Sequence, residues 1–248
     1  MTFEIAIFVL AGLVGGAVNA SAGGAKLFVF PLLLATGLPP VAANVTQSVA
    51  LWPAQFPAVW VYRHTLLRDL RTLARQMIPA VIGALIGSVV LVNASQDAFL
   101  AVIPAFLIIA VAAIIVGPQA TDILKRHIPA KQLSWVTGIL MAAIGFYGGF
   151  FGAGMGFMLL AALSLLSGAA IGEVNGAKNL FAVAIQSTAV IPMFFSGLTD
   201  WLAAGFVLVG GIAGGYLGAR LTQRLPEKPL RIGVATLGVV LTASFLFR

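Results

Sequence analysis

Three short runs place polar side chains inside otherwise apolar stretches of this chain. NASAGGAKLF carries Asn19, Ser21 and Lys26; VAANVTQSVALWPAQ carries Asn44, Thr46, Gln47, Ser48 and Gln55; GEVNGAKNLFAVAIQS carries Glu173, Asn175, Lys178, Asn179 and Gln186. Asn44, Gln47 and Ser48 are spaced i, i+3, i+4, as are Asn175, Lys178 and Asn179, so each triplet shares one face of a helix. Amide and hydroxyl donors beside a lysine, with almost no acid, suit an oxyanion. Lys26 follows Gly-Gly and Lys178 follows a turn, each near an expected helix start, where free N–H groups and the helix dipole also favour negative charge. The expected site is therefore a small-anion pocket lined by Asn19, Ser21, Lys26, Asn44, Gln47, Gln55, Asn175, Lys178, Asn179 and Gln186. Glu173 is the one acidic residue well inside a candidate membrane segment and is the candidate proton carrier. Plainer roles compete with these. Lys26 can snorkel to an interface, Lys178 can pair with Glu173, and Asn44 and Asn175 can act as interhelical hydrogen-bond glue.

Catalytic chemistry finds no foothold. HExxH, GxSxG and Walker A patterns are missing, no cluster of carboxylates has the spacing to hold a metal, and there is no cysteine. The expectation is a protein without enzymatic activity, metal or cofactor.

The elements that must position these residues follow from composition. The 248 residues are 60% hydrophobic and only 8% charged, and the mean hydropathy is +1.07. A soluble domain carries roughly 25% charged residues, so this chain has too little polar surface to cover its apolar mass in water. Its solvent is lipid. The net charge of +7 does not imply nucleic acid, because the Lys and Arg lie almost entirely at the ends of apolar stretches, where they orient membrane proteins. MTFEIAIFVLAGL has no basic residue before its apolar run, so it is expected to be retained as a span and not removed as a signal peptide.

Candidate helical segments are 3–19, 25–37, 40–62, 76–93, 98–116, 132–150, 154–168, 171–195, 201–219 and 231–247. A span needs roughly 20 apolar residues. Segments 25–37 and 154–168 fall short, and each follows a Gly-rich motif, AGGAK or GAGMG. Irregular backbone at membrane depth is tolerated only where protein or a wet cavity satisfies it, so these are expected to be broken or re-entrant helices facing inward. GxxxG-like pairs at Gly12/Gly16, Gly83/Gly87, Gly211/Gly215 and Gly214/Gly218 are expected to be helix-packing contacts.

An ungapped offset of 131 residues matches Gly23 with Gly154, Asn44 with Asn175, Gln55 with Gln186, Asp69 with Asp200, Gly83 with Gly214 and Gly87 with Gly218. Polar identities at separate places on one offset indicate two copies of one unit, 1–117 and 132–248, joined by a cytoplasmic linker at 118–131. Each copy holds about five segments. An odd number turns the second copy upside down, and the charges agree. Segment 63–75 carries Arg63, Arg68, Arg71 and Arg75, while its counterpart 194–206 has no basic residue. The reverse holds for 92–98, which has none, and the region around 220–231, which carries Arg220, Arg224, Lys228 and Arg231. With Lys125, Arg126 and Lys131 of the linker, all these charges fall on one side, which the positive-inside rule assigns to the cytoplasm. Both termini then lie outside. The fold class expected is an all-α polytopic membrane protein of two inverted-topology repeats, whose polar faces converge near the midplane.

GLVGGAVNASAGGAKLFVFPLLLATGLPPVAANVTQSVA and its second-half counterpart GFYGGFFGAGMGFMLLAALSLLSGAAIGEVNGAKNLFA resemble the paired signature of the TauE/SafE family of sulfite and organosulfonate exporters. The signature is a Gly-rich break, an apolar stretch ending in Pro and Gly-Leu-Pro, then a helix with Ala, Asn and Thr. The resemblance extends over essentially the whole chain. It implies a secondary transporter of the bacterial inner membrane, moving sulfite or a sulfoacetate-like C2 organosulfonate by alternating access. Lys26 departs from the pattern, standing where many relatives would carry glycine or another small residue. The partners expected are a small anion and membrane lipid, with H+ or Na+ as a possible coupling ion and a homo-oligomer as a possible assembly. A channel-like anion pore and a membrane assembly partner without cargo are the competing readings. Because the chain has no cysteine, single cysteines introduced within 63–75 and within 194–206 should react with an impermeant maleimide from opposite sides of the membrane; labelling from the same side would remove the inverted topology.

Overall fold

The computed structural model describes residues 2–22, 24–127, 130–167 and 174–222, with isolated helical positions between 232 and 243. Among the described residues the secondary structure is helical throughout: α1 (Thr2–Ala22), α2 (Lys26–Ala35), α3 (Pro40–Leu51), a 3-10 turn (Pro53–Gln55), α4 (Phe56–Val61), α5 (Arg63–Val92), α6 (Gln96–His127), α7 (Ala130–Phe150), α8 (Met155–Ser167), α9 (Asn175–Phe195) and α10 (Trp201–Thr222). Leu73–Val92, Asn175–Phe195 and Trp201–Gly218 are long and apolar enough to cross a bilayer, and Glu4–Asn19, Lys26–Ala35, Gln96–Ala112, Trp135–Phe150 and Met155–Leu165 are shorter apolar stretches.

The two short segments expected after the Gly-rich motifs are present as α2 and α8. The break before α8 has a local cause. Phe151 and Gly152 both donate their N–H to Tyr147 O, at 2.8 Å, and Gly152 and Gly154 adopt φ of 76° and 71°. This is a left-handed helix cap, in which glycine avoids the steric cost of a Cβ.

Two expectations about element boundaries are corrected, and a third stretch is described in more detail. Segment 40–62 is not one helix, because Pro53 and Pro57 lack the N–H a continuous ladder needs, and the chain passes through a 3-10 turn into the six-residue α4. The basic segment 63–75 is not a loop but the first turns of α5, which runs unbroken for 30 residues. The linker expected at 118–131 is helical up to His127, as the end of the 32-residue α6. Most of segment 231–247 lies outside the described residues.

Two helix pairs pack backbone to backbone. A Cβ on Gly12 would lie 2.1 Å from Val207 O, one on Gly16 2.1 Å from Gly211 O, one on Gly210 2.2 Å from Val9 O and one on Gly214 1.9 Å from Leu13 O. The contacts climb together along both chains, so α1 and α10 run parallel. The second pair, α5 and α7, does the same: Gly83 meets Ala142 O, Gly87 meets Phe146 O, Gly145 meets Ala80 O and Gly149 meets Ala84 O, all within 2.1 Å of the missing Cβ. Small residues allow this approach, and in lipid van der Waals contact of this kind drives association. Of the glycine pairs expected from spacing, Gly12/Gly16, Gly83/Gly87 and Gly214/Gly218 meet a neighbouring helix backbone, whereas Gly211 and Gly215 are in loose contact and Gly210 takes the close position.

Between these pairs lies α3, buried at every position from Val41 to Leu51. An aromatic cluster closes the side toward α6. Phe30 of α2 meets Phe99 and Phe151 edge-on at 6.1 and 5.6 Å, and Phe106 lies 5.4 Å from Tyr147. Gly16→Val should lower thermal stability in detergent by about 1–3 kcal/mol or more, because the atoms it meets are backbone and cannot yield. Gly205→Ala, which meets nothing within 4 Å, should leave the melting temperature unchanged or raise it.

Candidate functional site

The helix break after α7 gathers polar groups from two other elements. Lys26, first residue of α2, is 7% exposed, and its Nζ lies so near Gly152 that a Cβ there would come within 3.1 Å of it. Asn44 of α3 donates from Nδ2 to Phe150 O at 2.8 Å, and its Oδ1 accepts from Gln47 Nε2 at 2.9 Å. The last carbonyls of α7 have no helical partners, and Asn44 supplies one of them. On the far side of the break the Tyr147 hydroxyl donates to Ala153 O.

Among the described residues, four enclosed side-chain atoms make no hydrogen bond to protein: Lys26 Nζ, Gln47 Oε1, and both Oε1 and Nε2 of Gln186. Gln186 is on α9 beside Ile185, whose Cγ2 lies against Gly148, one turn before the break. A buried polar group without a partner costs about 1–3 kcal/mol and calls for an explanation by ligand or water. Together these atoms offer a cationic donor, an amide donor and two amide oxygens.

The remaining expected residues sit elsewhere. Asn175 and Lys178 are in the first turn of α9, and Asn175 Nδ2 donates to the Tyr62 hydroxyl at 3.3 Å. Lys178 and Asn179 are buried, and Lys178 is engaged with a partner. Eleven residues separate Asn175 from Gln186, roughly 16 Å along a helix, so the α9 start forms a second polar tier distinct from the break. Asn44 and Asn175, matched by sequence offset, therefore bind different elements: the end of α7 in one case, the α4–α5 joint in the other. Ser48 donates to Asn44 O within its own helix at 2.7 Å, and Thr46 Oγ1 accepts from Asp200 N at 3.0 Å. Asn19 is half-buried near the end of α1, Ser21 is in the last turn of α1, and Gln55 is half-buried in the 3-10 turn. Glu173 lies outside the described residues.

Sequence reasoning missed three contributors. Gln96 accepts from Val41 N at 2.8 Å and so caps α3; Trp52 donates to Ser187 Oγ at 2.8 Å, tying α3 to α9; and Tyr147 bridges the break. Their types carried no signal, since a tyrosine or tryptophan in an apolar run reads as packing. Outside the cluster, a surface groove of about 470 Å³ is lined by Pro53, Phe56, Pro57, Val59, Trp60 and Arg63.

A buried polar cluster at a helix break, enclosed by apolar helices long enough to cross a bilayer, defines a membrane protein of the transporter class. The chain is similar to several proteins of that description. It is 27% identical over 253 residues to a Haemophilus influenzae protein named "Probable membrane transporter protein", covering 98% of this chain and 94% of that one. It is 21% identical to the Escherichia coli K12 protein "Probable membrane transporter protein YfcA", covering 98% and 90%, and 22% identical to a Sinorhizobium protein, "Probable membrane transporter protein ORF9", covering 98% and 92%. Residues 8–245 match the family described as sulfite exporter TauE/SafE; the chain belongs to that family. No solved structure matches it.

Removing Asn44 strands Phe150 O and Gln47 Nε2 in a fully buried position. Asn44→Ala should therefore lower stability by about 1–3 kcal/mol, read as a fall in melting temperature in detergent. Asn175→Ala, which breaks one longer and half-buried contact, should cost less.

Proposed function

We propose that this protein is a secondary transporter, working as an exporter, of a small sulfur-containing anion such as sulfite or a C2 organosulfonate. The observation that carries the reading is the fully enclosed Lys26 ammonium, without a protein acceptor, against the left-handed break at Gly152. The family description supplies the sulfur oxyanion and the direction. Sulfonate and sulfite oxygens would accept from Lys26 Nζ and Gln186 Nε2. Gln47 Oε1 would face a hydroxyl or a protonated oxygen of the cargo.

Two inverted halves, 1–117 and 132–248, would rock about this point, with the basic segments in the cytoplasm of the bacterial inner membrane and both termini outside. The helix pairing supports this reading. The first helix of one half pairs with the long helix of the other in both cases, α1 with α10 and α7 with α5. The short 196–200 connection leads from α9 into α10, while Asn175–Tyr62 and Ile185–Gly148 set α9 running with α5 and α7. A reversal of direction across 196–200 would set α1 and α7 pointing in opposite directions, as inverted halves require. The glycine contacts also refine the register. Gly83 and Gly87 occupy the places of Gly210 and Gly214, four residues from the plain 131 offset, and Asp200 caps α10 through Ala203 N at 2.9 Å, whereas Asp69 lies within α5.

A channel-like pore is less well supported. Lys26, Asn44, Gln47 and Gln186 are at most 7% exposed, which fits an occluded carrier and not an open path. A thermal-shift series with sulfite, sulfoacetate, isethionate, taurine, sulfate and thiosulfate tests the reading, since a ligand that binds only the folded protein raises its apparent stability. At least one singly or doubly charged sulfur anion should stabilise the wild type, and Lys26→Met should abolish that shift while melting cooperatively. Indifference of the wild type to every anion would remove the anion site.

A further inference from the structure

The anion site proposed above leaves the return journey of the empty carrier unexplained. Lys26 Nζ has no acceptor among the described residues, so an ammonium there would cross the membrane interior unpaired whenever cargo is gone, and charge in that setting is expensive. None of the surrounding elements offers a counter-ion among the described residues. α2 has no other titratable side chain, and α3 and α8 have none. α1 carries Glu4 in its first turn, at the end of the helix remote from the break. α6 carries Asp97, exposed in its first turn, and Asp122, Lys125, Arg126 and His127 toward its end. α7 carries Lys131 and Tyr147, the hydroxyl of Tyr147 being committed to Ala153 O. α9 carries Lys178, one turn into the helix and about two turns before Gln186. Among the described residues, Lys26 Nζ has no hydrogen-bond partner.

We infer that Lys26 couples the cargo to a proton: the site crosses loaded as ammonium plus monoanion and returns empty as the neutral amine. After the anion leaves, the ammonium N–H bond breaks, its electron pair stays on Nζ, and the proton leaves to the same side as the anion. On the other side Nζ takes a proton from water before the next anion binds. One proton accompanies each monoanion and no net charge moves, so export runs on the outward gradient of the cargo itself. Glu173, the proton carrier suggested by sequence, is not needed for this cycle. The neutral amine also removes the cost of an unpaired charge from the one conformational step in which no anion is present.

Isethionate is a suitable probe because its sulfonate stays singly charged at every accessible pH, so any proton exchanged comes from the protein. Titration calorimetry on the full chain, in buffers with different ionisation heats, should report uptake of about one proton per isethionate bound at alkaline pH. In proteoliposomes, a proton gradient should drive net isethionate uptake that is insensitive to a clamped membrane potential. Lys26→Arg keeps the charge but cannot release its proton; it should lose net proton-driven uptake by a larger factor than it loses isethionate–isethionate exchange. Binding without proton uptake, net uptake that follows the potential, or net uptake by Lys26→Arg at the wild-type rate would each overturn the coupling while leaving the anion site standing. A wild type that neither binds nor exchanges isethionate would instead defeat the site itself, and the coupling with it. Should Lys26→Arg not fold, the wild-type calorimetry and flux decide.

Discussion

Backbone that leaves a helix inside a membrane must find its hydrogen-bond partners within the protein, and the rest of this structure is arranged around that requirement. The break at 151–154 ends α7 with a left-handed cap, and its spare carbonyls go to Asn44 and Tyr147. Such groups can be supplied only from a neighbouring buried helix, which is why α3 carries Asn44, Thr46, Gln47 and Ser48 at full burial. A helix bearing four polar residues would be costly against lipid. It is affordable between two glycine-packed pairs that keep lipid away.

The same constraint explains the chemistry. Asn44 and Gln47 serve the backbone first and present to the site only what remains, the Gln47 Oε1 atom. Lys26 serves nothing structural. A lysine that neither pairs nor snorkels is held by the packing of Phe30, Phe99 and Phe151 around α2 and α6, which fixes the helix whose first residue it is. Structural polarity and functional polarity thus occupy the same few residues, separated by which atoms are already bonded.

Much of this was legible in the residues. Hydropathy and the Gly-rich motifs announced the helices and the two short segments, because a span has a minimum length and a glycine cluster breaks a ladder wherever it occurs. Lys26, Asn44, Gln47 and Gln186 stood out since few polar residues interrupt the apolar runs. What could not be read was depth and partner. Asn44 and Asn175 match in sequence yet bond to the α7 end and to Tyr62, since equal offsets do not guarantee equal surroundings once helices shift by a turn. The helical character of 63–75 was hidden because its arginines signal topology, whereas continuity depends on the absence of a breaker between Arg63 and Val92; Pro79 bends the ladder without ending it. Tyr147 and Gln96 act through single bonds that no pattern encodes.

The partnership of α1 with α10 has a consequence for how the chain is made. The glycine face of α1 finds its closest contact some two hundred residues later in the chain, so it waits for that partner while α2 to α9 are being synthesised. α5 and α7, nearer in sequence, can clasp well before that. The order of these contacts along the chain would let α5 and α7 associate before α1 and α10 close on each other. Nascent chains that stall before Trp201 would keep the contact of α1 with α2 but leave its small-residue stripe uncovered.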